Sequence, residues 1–309
     1  MPPFDGYKAT LKPLSVEEPI DVVWHRLAGY AIARAAEPTP VSADALTVAA
    51  IAVGVLGGVS IAAPFGRHMI AAAVLLELSA AFDCADGQLA RMRKRSSAFG
   101  RMLDGVSDSI VMAATFLGTL VHFVGMERAP MWAMVLALIA APTCSFHFGW
   151  YDHYKNVYLR MTEPTFREGE DPEVARARHA AASARSGLLM RFVWWVYLRY
   201  LNGQAWLLRW SDPDSAVRLD ALGGFDQRRA EIWARHALGP MRIWRSIYGL
   251  GSHIFLFSVA CAFDRIDLYL VFRVGVLNVF AFAVLLPWQG RASRAAFAEM
   301  GLLPAEAGA

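Results

Sequence analysis

Six stretches of the chain, at about 45–65, 68–90, 104–125, 130–151, 243–263 and 267–288, each hold roughly 20 mostly apolar residues. That is the number an α-helix needs to cross the ~30 Å hydrocarbon core of a bilayer. Within hydrocarbon the backbone finds no water, so each stretch must satisfy its own N–H and C=O groups as a helix. Composition agrees: 56% of the 309 residues are hydrophobic and 18% charged, and the mean hydropathy is +0.34. Soluble domains carry about 25% charged residues. The expected fold is all-α, an integral membrane protein with six transmembrane helices, an N-terminal interfacial helix and a long cytoplasmic segment between the fourth and fifth spans. The net charge of +3 is modest and lies between the apolar blocks, which suits anionic lipid headgroups better than nucleic acid.

Orientation follows from Arg and Lys. Arg91, Arg93, Lys94, Arg95 and Arg101 follow the second block and many arginines follow the fourth, whereas Arg67, Arg128 and Arg265 are nearly all that the other turns hold. The even-numbered connections and both termini are therefore expected on the cytoplasmic side. This divides the chain into a cytoplasmic or interfacial segment (1–42), spans one to four (43–151), a cytoplasmic and interfacial segment (152–242), spans five and six (243–290) and a cytoplasmic tail (291–309). A bacterial inner membrane is the expected location, and the first twenty residues show no continuous apolar core of a cleaved signal peptide.

Asp21–Ala36 reads as the interfacial helix, with Trp24 and Tyr30 as anchors, ended by Pro38 and Pro40. Ser42 or Asp44 is then placed to cap the first span. FREGEDPEVARARH reads as a solvated loop or short helix. On a helix over Leu188–Trp210, Arg191, Asn202 and Arg209 fall within about 20° of one another. That polar stripe among aromatic residues favours lying in the interface over crossing. Cys84, Cys144 and Cys261 have no CxxC spacing and read as buried thiols.

The stretch FDCADGQLARMRKRSSAFGRMLDGVSDSI joins the second and third spans and sets Asp83, Asp86, Asp104 and Asp108 against apolar helix. Spacings of three and four put each pair on one helical face. Each ionised Asp inside a span costs about 2.5–3.5 kcal/mol, so four together cost on the order of 10 kcal/mol. Divalent cations would neutralise them, and oxygen-only ligands point to Mg2+ or Mn2+. A pair of such ions can clamp a pyrophosphate. Gly87, Ala90, Gly100 and Gly105 leave room for a ligand, and Arg91 can reach a phosphate with its guanidinium fork.

Asp83, two residues, Asp86, Gly87, two residues, Ala90, Arg91, eight residues, Gly100, three residues, Asp104, three residues, Asp108 resembles, without a gap, the signature of the CDP-alcohol phosphotransferases. The resemblance implies that Asp83, Asp86 and Asp104 bind two divalent metals. It makes Asp108 the general base and also a metal ligand, and gives the nucleotide pocket to Gly87, Ala90, Arg91 and Gly100, with Thr47 upstream. Relatives often carry Pro-Asn shortly before that Thr, whereas VSADALT has Ala43 and Asp44 there. The resemblance further implies a CDP-linked lipid or alcohol donor, a hydroxyl acceptor, release of CMP and a homodimer in the lipid bilayer.

Arg-rich cytoplasmic segments favour CDP-diacylglycerol with a polyol or polyol phosphate, such as inositol phosphate, over CDP-choline or CDP-ethanolamine with a lipid alcohol. Lys155, Arg160 and Arg245, with Asp152 nearby, are candidate acceptor contacts. Arg93, Lys94 and Arg95 read as anchors to lipid phosphates, and His147 and His153 as satisfied interfacial histidines. An ion-coupled carrier is the competing class, since intramembrane carboxylates also serve as coupling sites, but the spans show no internal repeat.

Overall fold

The computed structural model describes residues 3–63, 67–94, 98–125, 131–164, 166, 187–222 and 224–303. Every regular element among them is helical: α1 Pro3–Lys8, α2 Arg26–Ala36, α3 Ala43–Ala62, α4 His68–Met92, α5 Ala98–Gly125, α6 Met131–Thr162, α7 Leu188–Ser211, α8 Pro213–Arg218, α9 Gln227–Ile247, α10 Leu250–Ala262 and α11 Ile266–Glu299. A π turn, Asp21–His25, leads into α2. Two compact units divide the chain: one holds Met1–Ser145 and Gly249–Val276, the other Phe146–Tyr248 and Leu277–Ala309. Residues 167–186, which include all of the expected loop FREGEDPEVARARH after Phe166, lie outside the described residues.

Among the described residues five helices are long and apolar enough to cross a membrane: α3, α4, the Val106–Gly125 part of α5, α6 and α11. The expected span over 243–263 is instead two helices, α9 and α10, separated at Tyr248 and Gly249. The cause lies far away in sequence. The Glu18 carboxylate accepts the N–H groups of Gly251 (3.4 Å) and Ser252 (2.8 Å) and the Ser252 hydroxyl (3.0 Å). Its oxygens thus cap the first turn of α10 by accepting two of the N–H groups that the helix leaves without an internal partner. Gly249 is extended, and a side chain there would begin 1.9 Å from the Glu18 carboxyl carbon. At 13 residues α10 is about 20 Å long, short of a full crossing.

In the first unit, α3 lies against both α4 and α5. Its N-terminus is capped as expected: Ser42 Oγ accepts from the Ala45 N–H at 3.1 Å. It ends at Ala63, which is extended, as a residue before proline prefers. Small residues bring the helices together. A Cβ on Gly58 would lie 2.6 Å from the Ala114 carbonyl oxygen, and one on Gly118 would lie 2.1 Å from the Gly58 oxygen. One turn before Gly54, Ser79 Oγ of α4 donates to the Ala50 carbonyl at 2.8 Å. Ile61, Met69, Leu76, Phe123, Phe257 and Leu270 belong to the core of this unit. Ala33, Leu46, Ala85 and Leu89 form a smaller cluster.

The segment expected as an interfacial helix is helical and runs beside α4 in the same direction. His25 meets Glu77, Gly29 meets Cys84, Ala85 and Gln88, and Ala36 and Glu37 meet Arg93. Gly29 permits the approach, since a Cβ there would come within 2.8 Å of Cys84 Cβ. Trp24, read as an anchor, donates its indole N–H to Glu77 Oε2 at 2.6 Å.

α11 contains two π segments, Val271–Val276 and Ala281–Leu285. The first carries Arg273, fully buried, with its Nε donating to Cys144 Sγ at 2.9 Å. In the second unit Trp150, Trp233 and Trp244 are buried. Trp150 donates to Ser211 Oγ and Trp244 to Gln289 Oε1, each at 3.1 Å. On α7 Arg191, Arg199, Asn202 and Arg209 are exposed, as are Trp195, Trp206 and Trp210, while Trp194 and Leu207 are buried.

Candidate active site

α4 and α5 carry the motif. At ~100° per residue, Asp86, Ala90, Asp83, Gly87 and Arg91 fall, in that order, within an arc of about 140° on α4. The next positions round the helix are Cys84 and Gln88. The motif side chains therefore share one face, and Cys84 stands at its edge against Gly29. Cys84, Cys144 and Cys261 are free thiols, the last two buried.

Asp86 is buried at 7% exposure, and Asp83 is half-buried. Thr47, one turn into α3, donates its hydroxyl to Asp86 Oδ2. The structure thus brings Thr47, expected as a nucleotide contact, directly onto a metal-candidate carboxylate. Gly100, Asp104, Gly105 and Asp108 all lie on α5. Asp108 is exposed; the Asp104 side chain lies outside the described residues. Among the described residues no three His, Cys, Asp or Glu side chains gather closely enough to hold an ion. The donors that are described fit a hard cation: carboxylate oxygens with a hydroxyl beside them, and a thiol that packs elsewhere.

Arg91 is half-buried, and its guanidinium lies along Gly87, the terminal nitrogens 3.5 Å from where a Cβ there would stand. Its Nε donates to the Thr10 carbonyl at 2.7 Å. The neighbouring Gln88, wholly buried, donates from Nε2 to Thr10 Oγ1 at 3.0 Å. Neither Thr10 nor Gln88 was singled out by the sequence. The available signal was a polar amide at an unspecified motif position, on a helix whose burial required it to find a partner.

Arg93 sits at the end of α4, but its guanidinium is turned onto the protein. It donates to the carbonyls of Val41 (2.6 Å), Ala36 (2.7 Å), Thr39 (2.9 Å) and Glu37 (3.0 Å). The lipid-anchor reading of Arg93 is corrected accordingly: it closes the turn between α2 and α3.

The candidate acceptor residues Lys155, Arg160 and Arg245 belong to the second unit. Lys155 pairs with Asp152 Oδ1 at 2.6 Å and lies 5.2 Å from the Tyr151 ring centroid. Arg160 is exposed and Arg245 half-buried. His147 is buried between aromatic rings, 4.9 Å from Tyr248 and 6.0 Å from Trp150, and His153 packs on Tyr154.

Comparison with known proteins bears on the same stretch. The family model for CDP-alcohol phosphatidyltransferase matches residues 41–159. The phosphatidylinositol phosphate synthase of Corynebacterium glutamicum is 34% identical over 99 residues, which is 31% of this chain and 45% of the relative, so the chain spans less than half of that protein. No solved structure matches the chain significantly. The residues matched by the CDP-alcohol phosphatidyltransferase family model, 41–159, include Thr47, the four motif aspartates and Arg91.

Proposed function

We propose that the protein transfers a phosphatidyl group from CDP-diacylglycerol to a polyol or polyol phosphate and releases CMP, in the service of phospholipid synthesis. The observation that carries this reading is the motif face of α4, where buried Asp86 is oriented by Thr47 and Arg91 is laid along Gly87 beside it. The family match, and a relative named for making phosphatidylinositol phosphate, support the class of chemistry and the choice of acceptor.

Asp83, Asp86, Asp104 and Asp108 would hold two divalent cations, Mg2+ or Mn2+, which when bound neutralise the donor's diphosphate and make its phosphorus easier to attack. The remaining work belongs to the protein. Arg91 offers planar, charged donors to a phosphate oxygen, and Gly87, Ala90 and Gly100 leave space for the nucleotide. Asp108 takes the proton from the acceptor hydroxyl as its oxygen attacks phosphorus. CMP departs with the electrons of the broken P–O bond. In this reading all six apolar stretches cross the membrane, the fifth as a broken helix, and the motif opens to the cytoplasm.

The test is CMP release by the purified protein in detergent, with CDP-diacylglycerol or CDP-choline and a panel of acceptors, with and without Mg2+. Release should require Mg2+ and be fastest with CDP-diacylglycerol and inositol phosphate. Asp108→Asn should lower kcat about 100-fold or more, the contribution typical of a general base. Turnover near wild type in that variant would overturn the role of Asp108. Absence of CMP release with every donor would overturn the function.

A further inference from the structure

We propose that Thr10, in the segment that precedes the matched domain, is a positioning residue that orients the Arg91 guanidinium toward the diphosphate of a CDP-linked donor. The inference rests on the proposed donor chemistry and adds to it a residue outside residues 41–159.

Three bonds converge on Thr10. Its carbonyl accepts from Arg91 Nε at 2.7 Å, its hydroxyl accepts from Gln88 Nε2 at 3.0 Å, and the same hydroxyl donates to the Tyr7 carbonyl at 2.6 Å. Gln88 and Arg91 are three apart on α4 and so project toward the same neighbour. Thr10 is 3% exposed and Gln88 is wholly buried, so neither can exchange its partner for water at no cost. The guanidinium is planar, and holding Nε fixes the plane that also contains the two terminal nitrogens. That plane lies along Gly87, on the motif face.

Thr10 is itself held by contacts independent of Arg91. The Tyr7 hydroxyl donates to the Val22 carbonyl, and the Tyr7 ring meets Tyr30 edge-on at 5.5 Å. Glu17 accepts the Lys12 N–H and pairs with Arg26, both at 2.8 Å. The segment from Tyr7 to Glu17 therefore gives Arg91 a fixed reference, and a side chain already ordered loses less freedom when its ligand binds.

The experiment compares wild type, Thr10→Val, Thr10→Ser and Gln88→Met as full-length protein in detergent. It reads kcat and KM for CDP-diacylglycerol, KM for inositol phosphate, calorimetric affinity for CDP, and thermal unfolding. Thr10→Val should raise the donor KM and weaken CDP binding roughly 3- to 10-fold, the value of ordering one long side chain. Acceptor KM should stay within twofold, and Thr10→Ser should restore the donor KM. Gln88→Met removes the bond between the two side chains from its other end, so adding it to Thr10→Val should raise the donor KM no further. Should Thr10→Val fail to fold, Gln88→Met alone carries the test: it should raise the donor KM and leave the acceptor KM within twofold, and a folded Gln88→Met protein with wild-type donor KM overturns the proposal.

A folded Thr10→Val protein with donor KM within twofold of wild type overturns the proposal. So does an equal rise in donor and acceptor KM, or a loss confined to kcat, since those mark a merely structural role. Wild-type protein that neither binds CDP nor releases CMP overturns the underlying donor reading, and the Thr10 assignment falls with it.

Discussion

The Thr47 hydroxyl on α3 donates its hydrogen to the buried Asp86 carboxylate on α4, so the helix ahead of the motif takes part in orienting the motif's second acid. Two consequences follow from one bond. It joins two spans where both are apolar, and it occupies one oxygen of Asp86 so that the carboxylate is held in a single orientation. In the proposed metal site Thr47 would stand behind the ligand Asp86, and losing such a partner typically costs 10- to 100-fold in metal affinity.

Thr47→Val keeps the shape of the side chain and removes the donor. The half-saturating Mg2+ concentration for CMP release should rise about 10-fold, and Thr47→Ser should keep the wild-type value. Calorimetric titration with Mn2+ gives the same comparison without turnover. Equal metal affinity in wild type and Thr47→Val would remove Thr47 from the metal's surroundings.

α3 can reach both motif helices only because small residues line it. Gly54 faces Val111 of α5 and Ser79 of α4, with a Cβ there 2.6 Å and 2.7 Å from their side chains, and Gly58 packs on Ala114. Gly118→Ala would place a carbon 2.1 Å from the Gly58 oxygen, a backbone atom that cannot swing aside. The helices must separate, at about 1–3 kcal/mol, typical of overpacking. Thermal unfolding in detergent should show the loss, whereas Gly125→Ala, with nothing within 4 Å of its Cβ, should stay near wild type. Equal midpoints for the two variants would contradict this packing.

What could be read in the sequence was whatever is written locally. The motif spacing placed Asp83, Asp86, Gly87, Ala90 and Arg91 on one face of α4, and the Ser42 cap and the helix before Pro38 followed from neighbours in the chain. What escaped depends on partners far apart. Thr10 lies 78 and 81 residues from Gln88 and Arg91, and Glu18 caps a helix 234 residues on. A hydropathy window sums side chains and does not register a carboxylate arriving from elsewhere, so 243–263 reads as one span although it is broken at Gly249. Arg273 was absorbed in the same way, one charge in an apolar stretch, yet it is fully buried against Cys144.

Arg93 separates two readings that the sequence alone could not. An anchor to lipid phosphate needs only a positive charge, whereas closing a turn through four carbonyls needs the fork of a guanidinium. Arg93→Lys should therefore lower the unfolding midpoint nearly as much as Arg93→Ala, for a loss of about 1–3 kcal/mol typical of charged hydrogen bonds. The deficit should be the same in neutral detergent and in bilayers containing anionic lipid. A lysine variant as stable as wild type would restore the lipid-anchor reading.

His25 gives the first unit a pH dependence whose sign is fixed by its surroundings. The imidazole is 1% exposed, between Asp21 Oδ1 at 2.8 Å and Glu77 Oε2 at 3.1 Å. Burial alone would lower its pKa, but the hydrogen bonds and charges of Asp21 and Glu77 outweigh burial and raise it to about 9. Below the ordinary value of about 6.5 both folded and unfolded chains hold the proton, and the stabilisation is complete. As pH climbs toward 9 the unfolded chain has already released its proton, so the advantage shrinks, by roughly 3 kcal/mol over that window. Glu18 acts with the same sign. Burial and the neighbouring Asp21 push its carboxyl up, so stability falls as pH rises above the ordinary carboxylate range. The unfolding midpoint in detergent should therefore decline steadily from pH 6.5 to 9. His25→Gln should flatten that decline, and Glu18→Gln should reduce the part beginning at lower pH. A midpoint that rises across this range, or a His25→Gln curve parallel to wild type, would show that the charge on His25 does not hold the π turn against α4.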